Sequence, residues 1–396
     1  MTLERRCYAC GVTTDQPYAR CDCGEPLWFA VQPLEAWPAL AELTGSIWRY
    51  EDVLPVEQPA GDLAPGATPL LSVPGLREET GLELWLKDEG RNPTGSFKDR
   101  GSAVGVGVAL ERAHEASTPA GDPARVATVS HGNMALSTAA CAAAAGLEAT
   151  VFVPEDIAGE RLAAIGAFEP EIVRVRGDYG RLYHDALELG ARHGVTVCNS
   201  DVPSRVAGQK TLAFELLEAV PDLDAIVLPV SSGGNASAVW KGLLEMRAGG
   251  LCTDLPALYL VQATACDPIA RAYRASDDVV TPIDDDADTV AYSIANADPP
   301  SGTRALAAVR DTGGAVVSVD DDAILTAQRR LASVGIRVEP SSATTLAAIT
   351  ALCEGGALKS GDRVAGVLTG RGYGGSGGEP ETTGRTRDTL DTVFSS

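Results

Sequence analysis

Asn92-Pro93-Thr94-Gly95-Ser96-Phe97-Lys98-Asp99-Arg100-Gly101 is the stretch that constrains this chain most. It sets one lysine at the end of a turn made of Pro, Gly and Ser. An apolar run from Ala103 to Leu110 follows and reads as a helix. Lysine is scarce: Lys87, Lys98, Lys210, Lys241 and Lys359 stand against 27 arginines. A lysine in a tight, partly buried turn loses solvation. Its pKa then falls, and the amine becomes a nucleophile towards carbonyl compounds. A solvated lysine at a helix start is the competing reading of Pro-x-Gly-x-x-Lys taken alone.

Outward from this turn, short apolar runs alternate with longer helical patterns. Strands are expected at 82–87, 126–130, 149–153, 171–175, 195–198, 225–230, 257–262, 315–319 and 363–369. Helices are expected at 133–145, 179–193, 204–219, 235–248, 322–334 and 341–354. This α/β alternation implies parallel sheets with helical crossovers. It is too irregular for eight equal barrel units. Two open, mostly parallel sheets with helices around a cleft fit better, and such sheets bind ligands at the carboxyl ends of their strands.

Several strand ends carry further signals. Ala225 to Val230 leads into Ser231-Ser232-Gly233-Gly234-Asn235 and then an apolar helix. Backbone N–H groups of such a loop, with the helix N-terminus, cradle a phosphate. No lysine follows in the position a P-loop requires, and an ordinary strand–helix turn is the alternative. Val129-Ser130-His131-Gly132-Asn133-Met134 also ends a strand and opens a helix. His131 reads either as an acid–base group or as a cap. Asn199-Ser200, with Arg205 and Gly208-Gln209-Lys210-Thr211, reads either as an oxyanion site or as an Asn cap and a surface arginine. Thr369 closes the run Val364 to Leu368, where its hydroxyl can hydrogen-bond a ring nitrogen.

Taken jointly, these strings resemble pyridoxal-phosphate enzymes of the tryptophan synthase β fold, and threonine synthases most closely. The resemblance spans about residues 1–375. It implies that Lys98 carries pyridoxal 5'-phosphate and acts as the catalytic base. It further implies that Ser231, Ser232, Gly233, Gly234 and Asn235 hold the cofactor phosphate, and that Asn133 and Thr369 hold its ring. A Thr at the ring nitrogen, unlike a carboxylate, leaves that nitrogen unprotonated or partly so. The substrate carboxylate is expected at Ser130, His131, Gly132, Asn133 and Met134, and the substrate phosphate at Asn199, Ser200 and Arg205. The implied reaction is O-phospho-L-homoserine plus water to L-threonine plus phosphate. Two features depart from the family: Met134 replaces a threonine, and Arg371-Gly372-Tyr373-Gly374 replaces Gly-His-Gly-Leu-Lys after the Thr369 strand. They favour the runner-up, another β- or γ-replacement or elimination on this scaffold, such as a phosphoserine-using cysteate-type synthase or a threonine/serine dehydratase. Glu339, in Val338-Glu339-Pro340-Ser341-Ser342-Ala343, is expected to line the site without an assigned role.

Cys7-x-x-Cys10 and Cys21-x-Cys23 have the look of two knuckles around one tetrahedral Zn²⁺. Archaeal-type threonine synthases often carry a similar ribbon. The expected organisation is a zinc-ribbon-like segment over 1–32, a catalytic region over 33–375 and a loose tail over 376–396. Within the catalytic region, about 33–100 and 222–375 form a large domain and about 101–221 a small one. Net charge is −22, from 54 acidic and 32 basic residues. That excludes nucleic acid as a natural partner and suits a halophilic, salt-adapted surface. The chain shows neither a membrane-length apolar run nor a signal core, so a cytoplasmic location is expected. The expected partners are a phosphorylated amino-acid substrate and, by resemblance, a second copy in a homodimer.

Overall fold

A computed structural model describes residues 4–16, 19–38, 45–115, 124–176, 179–284, 288–372 and 383–386. The chain opens with a small antiparallel ribbon of β1 (Arg5–Cys7), β2 (Thr13–Thr14) and β3 (Leu27–Phe29), in the order β2-β1-β3. Next come β4 (Leu70–Leu71), α1 (Pro74–Thr80), β5 (Glu83–Asp88) and α2 (Lys98–Glu115). Then follow β6 (Arg125–Val129), α3 (Asn133–Ala144), β7 (Glu148–Pro154), α4 (Gly159–Gly166), β8 (Glu171–Arg176), α5 (Tyr179–His193) and β9 (Thr196–Val197). The remainder is α6 (Pro203–Gln209), α7 (Thr211–Ala219), β10 (Ala225–Pro229), α8 (Gly234–Ala248), β11 (Ala257–Ala263), α9 (Pro268–Ala275), α10 (Gly302–Thr312), β12 (Ala315–Val319), α11 (Asp321–Ser333), α12 (Pro340–Glu354), β13 (Arg363–Leu368) and β14 (Thr383–Thr386).

Outside the ribbon, strands β4 to β14 form two open sheets. One has six strands in the order β12-β11-β10-β13-β5-β4, parallel except for β4 against β5. The other has five, β14-β8-β7-β6-β9, all parallel. Strand alternation sends side chains to opposite faces. Ile226 and Leu228 of β10 pack with α7, α8 and α10, whereas Ala225 and Val227 pack with α11 and α12. A sheet buried on both faces needs apolar residues at successive positions, which is why these strands read as continuous apolar runs.

Most expected elements lie where the pattern put them, with four differences. The helix read from Ala103 begins at Lys98 itself, because buried Asp99 accepts from Thr94 N (2.7 Å) and Oγ1 (2.5 Å) and fixes the first turn. The single helix expected at 204–219 is two, α6 and α7, separated at Lys210. The Lys210 ammonium bonds Val53 O and Glu245, each at 2.5 Å. The tail expected to be loose from 376 supplies β14, which pairs with β8; its other residues lie outside the described ones. Helices α1, α4, α9 and α10 and the short strand β4 were not anticipated. Among the described residues no helix is long and apolar enough to cross a membrane.

Candidate active site

Five strands of the two sheets, β5, β6, β9, β10 and β13, deliver their carboxyl ends to one cavity of about 440 Å³. Lys98, Ser130, Ser200, Ser231 and Thr369 each follow one of these strands and line it. The Lys98 turn is held from two sides. Phe97 N donates to Thr369 O (3.0 Å) and Arg371 N to Gly95 O (3.0 Å), so the turn is stitched to the loop after β13. Beneath it, fully buried Arg100 spans Glu89 (Nε–Oε2 2.7 Å) and Glu215 (Nη1–Oε1 2.6 Å). Lys87 reaches the same Glu215 at 2.6 Å. Burial alone would raise Glu215, but Arg100 and Lys87 hold it at about 2. Helix α2 also crosses α6 closely: a Cβ on Gly208 would lie 2.0 Å from Arg100 O.

The Lys98 ammonium stands 4.6 Å from the Phe97 ring centroid. Desolvation, helped by the Arg205 charge and opposed by Glu339, lowers its pKa from 10.5 to about 7. That is the condition for an amine to be both nucleophile and base near neutrality. Across the cavity, the loop 231–235 wraps the start of α8. Gly233 adopts φ +86, and a Cβ there would sit 2.2 Å from Ser301 O; one on Gly234 would sit 2.3 Å from Ser200 O. Only glycine lets the backbone run here. Both side-chain amide atoms of Asn235 are buried without a hydrogen-bond partner. An orphaned amide beside an open backbone cradle fits a ligand phosphate.

Asn133 opens α3 and donates through Nδ2 to Glu339 Oε1 (2.9 Å); Ser293 donates to Glu339 Oε2 (3.3 Å). Burial raises the Glu339 carboxyl despite these donors. Ser130, His131, Gly132 and Met134 complete that wall. Burial, then the Arg161 charge, lowers His131 below its ordinary value. Thus Lys98, Ser130 to Met134, Ser200, Ser231 to Gly233, Asn235 and Thr369 share one cavity, with Gly234 directly behind it.

Two expected site residues do not reach it. Asn199 is fully buried: its Oδ1 accepts from Val129 N (2.9 Å) and its Nδ2 donates to Tyr183 O (3.2 Å). Arg205 is also fully buried, donating to Ser102 Oγ (2.8 Å) and Lys98 O (3.0 Å). In this structure both are braces, so the substrate-phosphate role expected for them does not fit their placement. Conversely, Tyr183, His184, the segment from Tyr292 to Asp298 and Pro300 line the cavity and had not been read as site residues. Only the Gly/Pro/Ser content near 299–302 hinted at a turn there.

The four ribbon cysteines converge, every sulfur within 4.8 Å of the others. Cys7–Cys23 and Cys10–Cys21 are each separated by 3.6 Å. Tetrahedral Zn–S bonds of about 2.3 Å put sulfurs about 3.8 Å apart, so the cluster has the right size.

The family model for pyridoxal-phosphate dependent enzymes matches residues 62–370. Threonine synthase of Methanocaldococcus jannaschii is 34% identical over 386 residues, covering 93% of this chain and 92% of that protein. Threonine synthase of Methanosarcina acetivorans is 36% identical over 332 residues, covering 82% and 79%. Among solved structures, maize serine racemase superposes with a TM-score of 0.63 at 23% identity, covering 78% of this chain and 88% of that one, a likeness of fold. The match over most of the chain places it among the pyridoxal-phosphate dependent enzymes, in the threonine synthase family.

Proposed function

We propose that the protein converts O-phospho-L-homoserine and water to L-threonine and phosphate, a reaction in which phosphate leaves the γ carbon and water adds at the β carbon. The observation that carries this reading is the identity to threonine synthases over nearly the whole chain. The cavity, which gathers the lysine, the glycine cradle and Thr369, agrees with it. Pyridoxal phosphate, when bound, supplies an electron sink for negative charge on the substrate carbons. Lys98 would hold it covalently. The backbone of 231–235 and Asn235 would hold its phosphate, Asn133 its ring hydroxyl and Thr369 its ring nitrogen. Once free, the Lys98 amine takes the α and then the β proton of the substrate. The backbone from Ser130 to Met134 binds the substrate carboxylate, and Ser200 faces the phosphate ester. Glu339 orients Asn133 and lies near enough to Lys98 to favour its protonated form.

One feature favours a second reading. Met134 lines the cavity without the hydroxyl that assists the family's closing steps; an elimination needs no such group. Purified protein at high salt is mixed with O-phosphohomoserine, and visible absorbance, phosphate and threonine are followed, with Lys98→Ala as control. Equal yields of phosphate and threonine, lost in the variant, support the synthase. Phosphate released without threonine turns the reading to an elimination, and absorbance from bound cofactor with no phosphate released turns it to another substrate, phosphoserine, threonine or serine.

The division into a large unit (about 33–100 and 222–375) and a small unit (about 101–221), with the cavity between them, is part of the same proposal. So are a structural zinc at Cys7, Cys10, Cys21 and Cys23, a homodimeric assembly and a cytoplasmic location. Zinc content per chain and solution mass test the second and third directly.

A further inference from the structure

Asp201 is an anomaly directly behind the wall of a cavity that, on the proposed function, receives an anion. It follows Ser200 directly, is 2% exposed, and carries a carboxylate. Its Oδ1 accepts from the Tyr183 hydroxyl, and its Oδ2 accepts from Ser301 Oγ at 3.1 Å. Tyr183 and Ser200 both line the cavity, and their hydroxyl oxygens are 3.3 Å apart. An uncompensated buried carboxylate here would repel a phosphorylated substrate and would itself be costly. Part of the compensation comes from the fully buried Arg304 cation, and part from the cysteine ribbon, 181 residues away in sequence. Arg20 Nη2 lies 3.0 Å from Asp201 Oδ2 and also donates to Pro300 O (2.9 Å), another cavity residue. Arg20 Nη1 ties back to its own turn at Gly24 O (2.8 Å). Behind it, fully buried Arg304 donates to Asp201 O (3.4 Å) and Ser301 Oγ (3.1 Å), and to Pro26 O and Leu27 O of the ribbon. Ser301 N in turn donates to Ser232 O (2.8 Å) in the glycine loop.

We propose that Arg20 is a positioning residue for substrate recognition: it neutralises Asp201, which accepts the Tyr183 hydroxyl proton in a hydrogen bond and holds that side chain beside Ser200, whose own hydroxyl donates to the substrate's phosphate. The ribbon is then part of the specificity apparatus and not only a stabilising appendage. The identity of the phosphorylated substrate rests on the threonine synthase reading; the charge relation does not.

The test uses cofactor-loaded protein and two readouts, the KM–kcat pair for O-phosphohomoserine and the Kd of inorganic phosphate by calorimetry. Arg20→Gln is expected to raise both KM and Kd about tenfold, the loss expected for a charge-assisted contact. Its kcat should stay within about threefold of the parent and its visible spectrum should be unchanged. Arg20→Lys should recover most of the effect. Adding Asp201→Asn to Arg20→Gln should restore phosphate binding, and Asp201→Asn alone should bind phosphate at least as tightly as the parent. A purely structural contact predicts the reverse, since each further change would loosen the wall. Unchanged phosphate binding in Arg20→Gln, or a double variant no better than the single, overturns the proposal. If Arg20→Gln loses its cofactor, the Asp201→Asn arm decides alone: weaker phosphate binding there overturns it. If the parent does not turn over O-phosphohomoserine, the functional reading fails while the phosphate-binding arm still decides the role of Arg20.

Discussion

The amine of Lys98 is expected to be reactive at a pH where ordinary lysines are not. Its pKa falls from 10.5 to about 7 through desolvation and the nearby Arg205 charge. A difference of about 3.5 is ~3000-fold in the proton dissociation constant. At pH 7 about half of Lys98 is neutral, against roughly one in 3000 for a solvated lysine. Cofactor-free protein is mixed with pyridoxal, which lacks the phosphate and so reports the amine and not the cradle. The capture rate is followed by stopped-flow absorbance across pH, with borohydride trapping and peptide mass analysis to confirm Lys98. The rate should climb to a midpoint near pH 7 and then level off, because once the amine is neutral further deprotonation adds nothing. Glu339→Gln should move the midpoint lower, since the carboxylate it removes favours the ammonium. A rate still rising about tenfold per pH unit beyond pH ~9 would refute the reasoning, as a solvated lysine behaves that way.

Glu215→Ala leaves Arg100 and Lys87 buried without their shared partner, and is expected to cost about 3–5 kcal/mol in denaturant unfolding. Purified protein should contain one zinc per chain, and Cys21→Ser should weaken zinc binding more than about 100-fold in competition with a chelator. With a net charge of −22, the melting temperature should rise by more than about 5 °C between low salt and molar KCl, as screening relieves self-repulsion; a flat profile argues against salt adaptation.

What the sequence made visible was local. Parallel strands and their helices carry their periods in consecutive residues, so the 225–229 strand and the 234–248 helix were readable with their junction. The Lys98 turn and the Ser231–Asn235 loop were readable because glycine and proline mark backbone paths that other residues resist. What was hidden depends on distant partners. Arg205 and Asn199 look like anion ligands in the string, and only the packing of α2, α5 and β6 against them turns them into braces. Tyr183 sits mid-helix with no local mark of a site residue; its position is decided by Asp201. Helices α9 and α10 hold eight and eleven residues, and an amphipathic pattern as short as that of α9 spans too few turns to be told from a loop. Arg20 sits among ribbon residues whose cysteines dominate the reading, and its partner lies far along the chain.

Strand β13 lies between β10 and β5, pairing with both, and the loop after it stitches the Lys98 turn. Synthesis proceeds from the N-terminus, so the lysine leaves the ribosome long before the strand that gives it its setting. Until Arg363–Leu368 arrive, the six-stranded sheet is split at its middle and Lys98 lacks its Thr369 neighbour. On the proposed function, cofactor capture at Lys98 would therefore wait for residues 363–369. Long-range parallel pairing of this kind closes slowly. A truncated or stalled product ending before residue 363 carries the lysine without the strand and loop that set its turn.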